Sequence, residues 1–184
     1  MRNAPLSAME AAVGVVGADG VALIGGMALG AWGVGRSTAD ADLLLWDRDV
    51  FNEDRWRVAR EAGVTVDVRR GDPFDPLVGV VRLRRGRGAP VDLVLLGAWT
   101  APMQQRAVRR VRIRGVLVPL VDAADLVLLK LYAGGPLDLR DVELLLLRQP
   151  DLDVAVLRRL AETPDACAEG WVRLRSGQRP RPIA

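Results

Sequence analysis

Apolar residues along the chain come in short runs whose period changes near residue 120. Val21-Ala22-Leu23-Ile24 is a fully apolar run that ends at Gly25-Gly26, and it predicts a buried strand at 21–24. A short helix rich in Ala and Gly is expected over 26–34, followed by a strand at 42–46. Asp47 is placed to cap a helix over 50–62 that Gly63 would end. Residues 64–68 alternate apolar and polar, as a half-buried strand does, and Asp72-Pro73-Phe74-Asp75-Pro76 reads as a loop. Residues 78–83 and 91–96 read as two strands joined by the basic turn Arg84-Arg85-Gly86-Arg87-Gly88. In 108–118 the alternation Val111-Arg112-Ile113-Arg114 reads as an edge strand with its arginines in solvent.

Beyond Val121 the pattern becomes helical, with helices expected at 122–132, 137–147 and 152–161, separated by Gly134-Gly135-Pro136 and Gln149-Pro150. An initial helix is expected at 5–16. The fold class is therefore α/β (α+β): a mixed β-sheet flanked by helices over 1–120, a helical segment packed on it over 121–170, and a mobile basic tail over 171–184.

Composition narrows the chemistry. Histidine is absent from the 184 residues, which removes histidine general bases, Ser-His-Asp triads and histidine-ligated zinc. A single cysteine, Cys167, leaves no internal disulfide and no cysteine metal cage. The net charge is +3, and Lys130 is the only lysine among 26 basic residues. Glu10 and Asp19 interrupt the apolar N-terminal region, and the uncharged span from Gly20 to Gly35 is short for a bilayer. The expectation is a cytoplasmic protein with no membrane partner.

The candidate chemistry lies between the first two strands. Gly25-Gly26 at a strand-to-helix junction suits close approach of a phosphate to backbone N–H groups. Asp40 and Asp42 sit two apart, so on a strand both project to one face. Two carboxylates that close repel unless a cation lies between them, and Mg²⁺ prefers oxygen ligands. Asp92, inside the apolar run 91–96, is the third carboxylate that a two-metal site needs, provided its strand neighbours 42–46. Taken singly, Asp40 and Asp42 also read as solvated loop aspartates or a helix cap, and Asp92 as a strand-end residue.

The segments Ala22–Leu29 and Gly35–Leu44, with Gly25-Gly26 and Arg36-Ser37-Thr38-Ala39-Asp40-Ala41-Asp42, resemble the signature of minimal nucleotidyltransferases of the DNA polymerase β superfamily. Asp125 through Lys130 and Asp138-Leu139-Arg140-Asp141 are similar in spacing to the second block of the AbiEii-type toxin nucleotidyltransferases. The chain departs from that pattern at Ala41, Gly135 and Leu137. The resemblance implies a nucleotidyltransferase-like fold and a two-metal Mg²⁺ site held by Asp40, Asp42 and Asp92, with an NTP as substrate. It implies that Gly25 and Gly26 cradle the triphosphate, that Thr38 and Arg36 lie near it, and that Asp92 accepts the proton of the attacking hydroxyl. Lys130 would contact the triphosphate or balance the aspartates, and without the resemblance it reads as a surface helix lysine. Asp138 and Asp141 would belong to the nucleotide site or else cap a helix.

The acceptor is not encoded in these motifs. RNA or protein is the first expectation, with a cognate antitoxin as partner if the toxin likeness holds. A small hydroxylated molecule such as an antibiotic is second, and a non-catalytic nucleotide- or partner-binding module is the rival of another class. Arg84, Arg85, Arg87, Arg109, Arg110, Arg112 and Arg114 read either as an RNA-facing surface or as a solvated one.

Overall fold

The computed structural model describes residues 6–35, 38–72, 77–107 and 109–176. The elements in chain order are α1 (Ala8–Val16), β1 (Val21–Ile24), α2 (Gly25–Ala31), β2 (Ala41–Leu45), α3 (Arg57–Glu61), β3 (Thr65–Arg70), β4 (Leu77–Arg84), β5 (Val91–Leu96), α4 (Ala101–Arg106), β6 (Arg109–Ile113) and β7 (Val116–Leu120). Four helices follow: α5 (Ala123–Ala133), α6 (Pro136–Arg148), α7 (Leu152–Leu160) and α8 (Asp165–Arg175). The protein is of the mixed α/β class. The chain divides into two compact units, residues 1–28 with 37–121, and residues 29–36 with 122–184.

The first unit holds a seven-stranded sheet in the order β3-β4-β5-β2-β1-β7-β6. The β2–β5 and β1–β7 pairs are parallel and the rest antiparallel, so the sheet is mixed. β1 sits near its centre and is buried at every position, which explains its uninterrupted apolar run. In β4 and β5 the burial alternates: Val81, Leu83, Val91, Leu93 and Leu95 fill the core. On the opposite face, Arg82 is exposed and Asp92 and Val94 are half-buried. α1 lies against β4 and β5, and a capping box between Ser7 and Glu10 starts it.

Three sequence expectations change. The helix expected over 50–62 is two 3-10 turns, Arg48–Phe51 and Glu53–Trp56, followed by the short α3. Asn52 breaks it, because its backbone is extended (φ −75°, ψ 115°) and its side chain caps the second turn through the N–H of Asp54. The single edge strand expected over 108–118 is the β6–β7 hairpin, turned by Arg114 (φ 48°) and Gly115 (φ 85°). Positive φ at both central residues is what a type I′ hairpin turn requires. Helices α4 and α8 occupy stretches for which no element was expected, and α8 takes in residues 171–175 of the expected mobile tail. The loop residues 73–76 and the tail residues 177–184 lie outside the described residues.

The second unit is helical. α8 runs through residue 171 to Arg175, and Trp171 is buried in it. Gly170 lets α8 approach α5: a Cβ there would lie 2.9 Å from the Leu131 carbonyl oxygen. The Asp122 side chain caps α5 by accepting the Ala124 N–H at 3.0 Å, and it also pairs with Arg159. Asp125 is fully buried on the same helix, with Arg159 at 3.0 Å. Among the described residues, no helix is long and apolar enough to cross a membrane.

Candidate functional site

Two carboxylates meet because two strands far apart in sequence are neighbours. β2 and β5 run parallel with Asp42 opposite Asp92, so both side chains leave the sheet on the same face. Asp40 precedes β2 by one residue and is exposed. Its N–H lies 3.4 Å from the Thr38 hydroxyl oxygen, a long contact of the kind that shapes a tight turn.

The glycine pair makes room for this cluster. Gly25 has φ +67°, and a Cβ built on it would fall 2.0 Å from Asp42 Oδ2. A Cβ on Gly26 would fall 2.7 Å from Thr38 Cγ2. The structure therefore brings Gly25, Gly26, Thr38 and Asp42 into close contact at the end of β1, with Asp92 alongside Asp42. Arg36 lies outside the described residues.

A residue that the sequence reading passed over completes the cluster. Arg82 on β4 stands opposite Asp92 in the antiparallel β4–β5 pair. Its Nε donates to Asp92 Oδ1 at 2.7 Å and its Nη2 to Asp92 Oδ2 at 2.6 Å, a two-pronged charge-assisted pair. These bonds and the Asp92 charge, with further contributions from Asp40 and Asp42, hold the guanidinium above its ordinary pKa. The signal for Arg82 was an arginine interrupting the apolar run 78–83 at an outward position.

Arg82 and Asp92 also line a groove of about 530 Å³, together with Arg69, Arg70 and Asp72. Arg70 donates to the Phe51 carbonyl at 3.0 Å and lies over the Phe51 ring, on the face of β3 opposite Arg69. The volume is in the range of small-ligand sites.

Arg114 braces the strand entries from the β6–β7 turn. It donates to the carbonyls of Ala89 at 3.0 Å and Pro90 at 3.1 Å, and also to that of Ala39. Those carbonyls immediately precede the segments bearing Asp92 and Asp40. Arg85 donates to the Leu6 and Ala62 carbonyls, both at 2.7 Å, and Arg110 pairs with Asp19. Several arginines of the expected basic face are thus committed to the fold's own acceptors.

Within the second unit, Lys130 of α5 lies 2.7 Å from Asp138 and 2.9 Å from Asp141, both on α6. Lys130 is buried, so it is not the solvated surface lysine that the sequence also allowed. Neither aspartate caps α6, whose N-cap is Gly135 with no side-chain bond.

The donor chemistry of Asp42 and Asp92, two adjacent carboxylates, fits a hard cation that also takes phosphate oxygens. A complete three-carboxylate centre is not assembled: among the described residues, no group of three or more His, Cys, Asp or Glu side chains is placed to hold a metal ion. Both oxygens of Asp92 face Arg82 instead.

The chain is similar to the crystal structure of an antigenic nucleotidyltransferase-like protein from Paracoccidioides brasiliensis, at 17% identity and a TM-score of 0.41, over 91% of this chain and 95% of that one. No protein-family model matches the chain. No curated protein matches it either.

Proposed function

We propose that this protein is a Mg²⁺-dependent nucleotidyltransferase, moving a nucleoside monophosphate from an NTP to an acceptor hydroxyl. The observation that carries the reading is the Asp42–Asp92 register, which pairs the carboxylates of two remote motifs on one sheet face beside Gly25. The sequence likeness around Gly25-Gly26 and Asp40-Ala41-Asp42 supplies the reaction class.

Asp42 and Asp92, with Asp40 beside them, are the residues that would hold magnesium. Bound there, the ion would neutralise charge building on the phosphate oxygens. Gly25 and Gly26 let Asp42 and Thr38 come close against the backbone at the end of β1, and by the sequence likeness these glycines would cradle the triphosphate. The acceptor oxygen forms a bond to the α-phosphorus, the bond to pyrophosphate breaks, and Asp92 takes the hydroxyl proton. Positioning of the two substrates provides much of the rate. The acceptor is a hydroxyl of RNA or protein, and the toxin role in a toxin–antitoxin pair rests on the Lys130–Asp141 spacing.

The test uses α-labelled nucleotides with Mg²⁺ and cell extract. Label passes to a macromolecule with the wild-type protein and not with Asp42→Asn, whose fold is intact by circular dichroism. Undiminished transfer by Asp42→Asn overturns the assignment. Label appearing only on small hydroxylated molecules moves the acceptor to that class.

A further inference from the structure

Asp92 is deeply set, with a side chain 13% exposed, whereas Arg82 is 50% exposed and reaches it from the solvent side. A carboxylate at that depth, beside Asp42 in the next strand, needs a positive partner. In the chain alone that partner is the guanidinium fork of Arg82. The fork covers both oxygens, so it stands where a ligated cation would compete. It also borders the groove that Arg69, Arg70 and Asp72 line. Arg69, paired with Asp67, shares its face of the sheet, so an anion entering there meets Arg82 together with Arg69.

We propose that Arg82 is a tethered counter-cation: it holds Asp92 and keeps a divalent ion out until a phosphate-bearing ligand in the groove draws the guanidinium away. This rests on the reading of Asp42 and Asp92 as metal-holding residues. It accounts for a two-pronged arginine pair on one of two carboxylates that stand side by side in the sheet. It also makes Arg82 a positioning residue, acting on the reaction through Asp92. A site gated in this way takes up metal together with phosphate, which guards bound NTP from attack while the centre is incomplete.

The test needs no turnover. Mn²⁺ is titrated into the nucleotide-free protein and followed by electron paramagnetic resonance. Arg82→Gln binds Mn²⁺ about tenfold or more tightly than wild type, since one nearby like charge shifts such equilibria by about that factor. Adding Asp92→Asn to Arg82→Gln removes the gain. Arg82→Lys keeps the charge without the fork, folds as wild type and falls between the two. Separately, tripolyphosphate is titrated in EDTA by calorimetry; it binds wild type and weakens about tenfold with Arg82→Gln. Equal Mn²⁺ affinity in wild type and Arg82→Gln overturns the proposal, as does tripolyphosphate binding indifferent to Arg82. Failure to label any acceptor would instead count against the transferase assignment, and these titrations would still decide the role of Arg82.

Discussion

The carboxylate of Asp42 occupies the space into which any side chain at Gly25 would project. The built Cβ at position 25 would lie 2.0 Å from Asp42 Oδ2, and the backbone there has φ +67°. Glycine is required twice over, by conformation and by room. Gly25→Ala is expected to cost about 1–3 kcal/mol in urea unfolding. Part of that cost is the collision, so in a Gly25→Ala/Asp42→Ala double variant the two penalties add to less than their sum. Strict additivity would show that conformation alone demands the glycine.

Lys130 ties α5 to α6 through two carboxylates, with its own side chain 11% exposed and that of Asp141 7% exposed. Removing the ammonium leaves two acids facing each other with little solvent. Lys130→Met is expected to destabilise the helical unit by about 3 kcal/mol, the size seen when one partner of a buried pair is lost. Neutralising both acids in the same background, with Asp138→Asn and Asp141→Asn, recovers most of the loss in denaturant unfolding. A Lys130→Met protein of wild-type stability would falsify this account.

Cys167 is fully buried on α8, with its Sγ 3.5 Å from the Leu128 carbonyl oxygen. Burial pushes its thiol pKa up. The folded chain therefore keeps the proton at a pH where the unfolded chain releases it. Folding stability from this group is complete below the unfolded value of about 8.5, and declines as pH rises from there through the folded value. A thiol-reactive disulfide reagent at pH 8 is expected to label the native chain at least about a hundredfold more slowly than the chain in urea. Comparable rates would place the thiol at the surface.

The strands that bear the candidate site were legible because their chemistry and their burial coincide. β1 and β5 were expected at the residues where they occur, and β2 is displaced by one, since apolar runs of four to six residues bounded by Gly, Asp or Pro leave little freedom. The neighbourhood of β2 and β5 was posed from Asp92 as a condition, and the parallel register meets it. Arg82 escaped notice because its meaning is relational: an outward arginine on a strand looks solvated until the antiparallel partner opposite it is known to carry Asp92. Arg85 and Arg114 were read only as members of a basic or solvated surface, since their acceptors are backbone carbonyls that leave no mark in sequence. The helix over 50–62 failed where Asn52 offered the backbone a local alternative to helical bonding.

Arg82 and Asp92 belong to one hairpin, joined by a turn of six residues, 85–90. Cation and anion are keyed to each other by local pairing and not by the packing of remote segments. A slip of a single residue in that pairing would swing the guanidinium to the sheet's inner side, beside Val91 and Leu93, and strand the acid. The alignment of these two strands is therefore as much a part of the site as the side chains it brings face to face.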